Sequence, residues 1–205
     1  DVHLVHMPLF HTNAQAYSVL ATLWAGGTAV VQPRFSASRF WPVSLKHRCT
    51  WASMIPFGVK ALMAHEVPSQ HHYRLWGAGV CAPPFDAHFG VTTMGWWGMT
   101  ETITHGIVSQ RAWPSVPLSI GRPAPEYGIA IVDDDDVPCA EARAVEPGGS
   151  GQLLVKGVRG LSLFHEYLGN AAANRLLWSS EGFSLVGWSD TSHLDDDAVL
   201  DETTS

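Results

Sequence analysis

Within the segment Gly95-Trp96-Trp97-Gly98-Met99-Thr100-Glu101-Thr102 lie a flat aromatic ring, a glycine hinge, a hydroxyl and a carboxylate. An indole face stacks on a nucleobase, the Thr100 hydroxyl can bond a phosphate oxygen, and Glu101 can place a hard oxygen ligand on Mg²⁺, which neutralises phosphate charge. A nucleotide-binding loop is one reading of these types. A packed corner with Glu101 at a helix start is the other, and the residues alone leave both open.

The remaining candidates carry less. His3/His6, His71/His72 and His11 are the nearest thing to a metal set. On a strand, however, positions one or three apart face opposite sides, and no third ligand completes a zinc spacing. His105 follows the Thr100/Glu101 loop closely, where it either borders a substrate pocket or lies on a helix face. Trp76 and Trp96 are candidate pocket walls, whereas Trp24, Trp41 and Trp51 read as packing residues. Cys81, close behind Gly79, has no His or Asp at a nucleophile spacing, and Ser109 and Ser119 lack the Gly-x-Ser-x-Gly elbow of a hydrolase. The acidic run 133–136 reads as a solvated hairpin tip rather than a metal site.

These residues must be held by a scaffold, and the hydrophobic pattern supplies one. Apolar runs over 2–7, 28–32 and 49–55 read as strands, with a helix on Ala14, Tyr17, Leu20, Ala21 and Trp24 and a second from a Ser36 cap to about His47. Further strands are expected at 74–77 and 91–94. This βαβαβ alternation predicts a doubly wound α/β layer with its functional loops at the carboxyl ends of the strands. Prolines 114, 117, 123 and 125 then mark a boundary, expected near 116/117, between an α/β portion (1–116) and a β-rich portion (117–205). Strands over 127–132 and 151–158 and a helix over 170–178 are expected there.

Composition narrows the function. The 205 residues are 46% hydrophobic, enough for a substantial core, and no stretch approaches a membrane-spanning helix. A formal charge of −7 argues against nucleic acid as a partner. Three widely separated cysteines without a Cys-x-x-Cys spacing suit a reducing cytoplasm. The abrupt start at Asp1 and the polar end at Ser205 suggest part of a longer protein.

Trp97-Gly98-Met99-Thr100-Glu101-Thr102 resembles the Tyr-Gly-Met-Thr-Glu-Thr signature of adenylate-forming, AMP-binding acyl-CoA synthetases, and its neighbours agree in order. Met7-Pro8-Leu9-Phe10-His11 resembles that family's Leu-Pro-Leu-Phe-His, and Gly77-Ala78-Gly79 its small-residue strand end. Gly121-Arg122-Pro123 resembles the turn that opens its β subdomain. The stretch Pro147-Gly148-Gly149-Ser150-Gly151-Gln152-Leu153 and the run Tyr167-Leu168-Gly169-Asn170 resemble its following hairpin. The stretch 98–123 looks most like crotonobetaine/carnitine or related medium-chain acyl-CoA ligases.

The resemblance implies a partial α/β layer followed by a smaller, distorted-barrel subdomain, and a reaction in two steps using ATP, Mg²⁺ and CoA. Gly77, Ala78, Gly79, Trp97, Gly98, Met99 and Thr100 would hold the nucleotide, with Thr100 on the α-phosphate and Glu101 on the metal. His11, Trp76, Trp96 and His105 would line the substrate pocket. The family's ribose-binding aspartate falls on Trp188 when counted forward from Glu181-Gly182-Phe183, and on Asp190 when counted back from Leu194-Asp195-Asp196-Asp197. An indole cannot accept the ribose hydrogen bonds, so Asp190 is the expected ligand. The family's phosphate loop and its lid with the adenylation lysine have no counterpart in these residues, and a chain of this extent alone is expected to show no turnover. Rival readings are a peptide-synthetase adenylation domain and a degenerate nucleotide-binding paralogue without catalysis.

Overall fold

The computed structural model describes residues 1–112, 116–132, 143–177 and 183–186. Two compact units divide the chain: Asp1–Glu126 with Ser162–Phe164, and Tyr127–Leu161 with His165–Ser205.

In the first unit the expected apolar runs become β1 (Val2–Val5), β2 (Thr28–Val31), β3 (Trp51–Ser53), β4 (Leu75–Ala78) and β5 (Thr93–Gly98). All five are parallel. Two antiparallel strands, β6 (His105–Val108) and β7 (Arg122–Pro123), extend the sheet to the order β2-β1-β3-β4-β5-β6-β7. Because β6 and β7 belong to this sheet, the units part at Glu126/Tyr127 rather than at the 116/117 boundary expected from the prolines. Pro123 is tolerated because β7 is the outermost strand.

Four helical segments connect the parallel strands. The first, α1, runs as π-helical turns over Asn13–Leu20 and continues as α-helix over Ala21–Trp24. Then follow α2 (Ala37–His47), α3 (Pro56–Leu62) and α4 (Pro83–Phe89). Right-handed crossovers in the order β2-β1-β3 send α1 to one face and α2 to α4 to the other. Side chains agree: Trp76 of β4 packs with Phe40 and Trp41 of α2 and Phe89 of α4, while its neighbour Gly77 faces Trp96 on the α1 side.

One expectation fails on α1. Ala14, Tyr17, Ser18 and Thr22 are buried, but Leu20 is 61% exposed and Trp24, expected as a packing residue, is 94% exposed. The i→i+5 bonding of π-helical turns lengthens the repeat, so residues chosen at 3.6-residue spacing drift off the buried stripe.

In the second unit β8 (Gly128–Val132), β9 (Gln152–Lys156) and β10 (Phe183–Val186) form an antiparallel sheet in the order β10-β9-β8. Helix α5 (Ala171–Leu177) is the expected helix. A barrel requires closure, and among the described residues β10 pairs only with β9, while β8 pairs with β9 and adds a single bridge from Val132 to Ala144, so the expected distorted barrel is here an open three-stranded sheet. The acidic run 133–136 lies outside the described residues.

Candidate functional site

The order 2-1-3-4-5 of the parallel strands puts a topological switch point between β1 and β3, because the chain leaves β1 toward α1 and β3 toward α3 on the opposite face. Ligands of open α/β sheets bind in the crevice outside the carboxyl ends of strands at such a point. The loop after β1 carries His6 to His11, and β4 ends in Gly77-Ala78 with Gly79 just beyond. His11 is exposed, its ring beside that of Phe10, and its carbonyl accepts the N–H groups of Ala14 and Gln15 as α1 begins.

β5 overhangs this edge. It pairs with β4 only from Thr93 to Gly95, so Trp96, Trp97 and Gly98 run past the neighbouring strand. Its base is fixed by Asp86 of α4, whose carboxylate accepts bonds from the Thr93 N–H (2.7 Å) and hydroxyl (2.6 Å). A bulge between Trp97 and Gly98 in the pairing with β6 re-aims the chain as it enters the signature loop.

A single 3₁₀ turn, Thr100–Thr102, follows. The buried Thr102 hydroxyl accepts the Met99 N–H at 2.9 Å and lies 2.8 Å from the Thr104 carbonyl, which ties both ends of the loop together. Ile103 has φ 61° and ψ −41°, and the Thr104 N–H returns to the Thr102 carbonyl. That is a tight turn in a region costly for a β-branched residue, and it stops the helix that Glu101 and His105 suggested. The chain instead turns back as β6. Thr100 is exposed, Glu101 is half-buried, and the Glu101 carbonyl accepts the Phe164 N–H at 2.8 Å.

The signature's two tryptophans have different surroundings. Trp96 lies with its ring centroid 4.4 Å from His105, 6.1 Å from Trp51 and 6.4 Å from Tyr17. A Cβ on Gly77 would stand 1.7 Å from the Trp96 ring, so the room left by that glycine is filled by indole. Trp97 is half-buried, touches the space over Gly106, and has no ring partner among the described residues. Gly98 admits the Tyr17 hydroxyl, which donates to the Thr104 carbonyl at 3.3 Å. Over Gly79 the space is open, with no atom within 4 Å of an added Cβ. The sequence reading placed Tyr17 on the first helix but not at the site; the glycine at 98, which leaves room for a ring from elsewhere, was the signal for that role.

Trp76 is not a pocket wall. It is fully buried in the core on the face opposite Gly77, with Phe40, Trp41 and Phe89 around it, because strand alternation sends consecutive residues to opposite faces. His105 is wedged between Tyr17 (3.7 Å) and Trp96 (4.4 Å), and burial lowers its pKa to about 4. His3, on the same face, stacks on Trp51 and has its pKa lowered to about 3 by burial and by nearby His6. His6 turns to the other face against Phe35 and Phe40, and burial lowers its pKa to about 4. All three are neutral at pH 7. Asp190 and Trp188 lie outside the described residues.

Among the described residues no three His, Cys, Asp or Glu side chains gather into a metal site. A single carboxylate at Glu101 suits Mg²⁺, which commonly takes one or two protein oxygens and completes its shell with substrate phosphates and water.

The sequence model of the family described as AMP-binding enzyme matches residues 1–168. The chain belongs to that family. Among its relatives, the crotonobetaine/carnitine–CoA ligase of Escherichia fergusonii is 34% identical over 214 aligned positions, covering 98% of this chain and 39% of the relative. That of Shigella sonnei is likewise 34% identical, with the same coverage. The chain thus spans about two fifths of the length of the curated relatives it matches. Two solved structures share its fold. MatB from Rhodopseudomonas palustris, bound to ATP, has a TM-score of 0.78 at 20% identity and covers 91% of this chain and 37% of its own. O-succinylbenzoate coenzyme A synthetase from Bacillus subtilis, in complex with AMP, has a TM-score of 0.73 at 23% identity, with the same coverage.

Proposed function

We propose that this chain is the nucleotide- and acyl-binding part of an ATP-dependent acid–thiol ligase. In the first step a carboxylate oxygen attacks the α-phosphorus of ATP, the bond to the β-phosphate breaks, and pyrophosphate leaves. In the second a thiol, that of CoA, attacks the acyl carbonyl; the bond to AMP breaks and the thiol proton passes to solvent. Neither step needs a protein nucleophile, so the residues act by positioning and by stabilising charge.

The observation that carries this reading is the overhang of β5, which brings Trp97, Thr100 and Glu101 beyond the sheet's carboxyl edge in a chain of the AMP-binding family. Trp97 offers adenine an unstacked indole face, Thr100 an exposed hydroxyl for the α-phosphate, and Gly79 an open approach beside them. Glu101 would hold Mg²⁺, whose charge stabilises the transferring phosphate. His11 would stand on the acyl side of the crevice. Asp190 would take the ribose hydroxyls. Trp96 and His105 shape the site from beneath, as packed rings rather than as acid or base. The names of the curated relatives support CoA as acceptor. Three widely separated cysteines suit a reducing cytoplasm as the setting.

Full-length protein given carboxylic acids should exchange labelled pyrophosphate into ATP. Glu101→Gln should reduce that exchange about 10²- to 10³-fold with the fold intact. Exchange at the original rate in the variant refutes the metal-binding role of Glu101.

A further inference from the structure

The room that Gly77 leaves on the α1 side of the sheet continues the crevice inward from Gly79, over which the space is open. The indole of Trp96 fills it, with Trp51, Tyr17 and His105 as neighbouring rings. Yet Trp96 is only half-buried, and it lies on the stretch of β5 that has run past its pairing with β4.

Three buried polar atoms without a hydrogen-bond partner among the described residues lie around this ring. Ser53 is the register partner of Gly77, and strand alternation from Trp51 turns it to the same face; it is 2% exposed, and its Oγ is unbonded. His105 lies against the indole with its Nε2 unbonded. Burial keeps that imidazole neutral at pH 7, so Nε2 offers a hydrogen bond rather than a charge. Asn13 stands about one turn before Tyr17 on α1, toward the mouth of the crevice, and its Oδ1 is unbonded. Covered by an indole, or by a hydrocarbon chain in its place, these atoms keep the unfavourable desolvation of unmade bonds. A hydroxyl group relieves it, because it can donate to Asn13 Oδ1 and accept from Ser53 Oγ–H or from His105 Nε2–H.

We propose that Trp96 is a plug over a polar acyl subsite, displaced by a short acid that carries a hydroxyl group. The acid enters past Gly79, its inner end takes the room over Gly77, and its hydroxyl bonds the three atoms that the indole leaves unmet. The packed rings of Trp51, Tyr17 and His105 keep the room small. Selection for the hydroxyl follows from the unbonded atoms, since a site built around hydrogen-bonding groups rejects an analogue that lacks their partner. This inference rests on the acid–thiol ligase reading and names the class of acid.

The test is pyrophosphate exchange by the full-length protein with butyrate, 3-hydroxybutyrate, 4-hydroxybutyrate and octanoate at saturating ATP. The better hydroxybutyrate should exceed butyrate about tenfold or more in kcat/KM, and octanoate should fall about tenfold or more below butyrate. Ser53→Ala should narrow the first ratio about fivefold, a change that a purely structural hydroxyl does not produce. Trp96→Gly should raise octanoate about tenfold relative to butyrate. Trp24→Ala, at the exposed end of α1, should leave both ratios as they are. In unaltered protein labelled with 5-fluorotryptophan, the resonance assigned to Trp96 by its loss in Trp96→Phe should shift as the better hydroxybutyrate saturates. Equal kcat/KM for butyrate and both hydroxybutyrates overturns the polar subsite, and a Trp96 resonance unmoved at saturation overturns the plug; neither result depends on the activity of a variant. Exchange with other carboxylic acids but with none of these four overturns this inference alone. Exchange with no carboxylic acid overturns the ligase reading as well.

Discussion

The two faces of the large sheet are built from adjacent residues of the same strands, yet they differ in kind. Toward α2, α3 and α4, Leu4, Ala52 and Trp76 meet Phe40, Trp41, Leu62 and Phe89 in a nearly unbroken apolar core, with His6, His71 and His88 against its edges. Toward α1, His3, Trp96 and His105 meet Tyr17 and Thr22, and the buried Ser53 hydroxyl has no hydrogen-bond partner among the described residues. Trp76 and Gly77 show the contrast in two consecutive positions: one fills the core, the other leaves room for a ring from β5. The first face provides stability, while the second shapes the strand end that carries Trp97, Thr100 and Glu101.

Acid should disturb this comparison most. His3, His6 and His105 are neutral when folded, with pKa values of about 3, 4 and 4, but accept a proton near 6.5 when unfolded. Their folded pKa values are depressed, so protonation favours the unfolded chain. Stability is therefore lost as pH falls below 6.5 and continues to fall toward 4. Between pH 7 and pH 5 each histidine contributes roughly 2 kcal/mol of that loss. Denaturant midpoints across this range measure it, and since two of the three face α1, amide exchange there should accelerate first.

Trp76→Ala should come next, at about 4 kcal/mol, because it empties the centre of the apolar core. Gly77→Ala should cost about 3 kcal/mol by driving a methyl into the Trp96 ring. Gly79→Ala, two residues on, should change stability by less than about 0.5 kcal/mol because nothing stands over it. Urea melts of the two glycine variants side by side decide whether these neighbouring glycines serve packing and access respectively; equal losses would remove the distinction.

Much of this layout was legible in the chain. Strands β1 to β5 were marked by apolar runs, those of β1 and β3 ended by Pro8 and Pro56, and the helices between them fixed a parallel sheet. β6 was hidden because Thr100-Glu101-Thr102 reads as a helix start, and only the turn at Ile103 reverses the chain. β7 was hidden behind Pro123, which signals a linker until it is found at a sheet edge. On α1 the change of helical repeat put Trp24 into solvent. At the site, the types of Trp97, Thr100 and Glu101 were apparent, and the family resemblance put Trp97 on the nucleotide and Trp96 in the substrate pocket, but the packing that distinguishes these two rings, and Gly77 from Gly79, was not legible. Those differences come from long-range contacts with Tyr17, His105 and Trp51.

The central claim is that the indole of Trp97, and not that of Trp96, meets the adenine. It is tested most directly by the KM for ATP in pyrophosphate exchange, measured for full-length Trp97→Ala and Trp97→Tyr together with their melting temperatures. Loss of one stacking face, worth about 1–3 kcal/mol, should raise the KM of Trp97→Ala roughly tenfold or more with little change in melting, and Trp97→Tyr should restore most of it. An unchanged KM for ATP in Trp97→Ala would contradict the account.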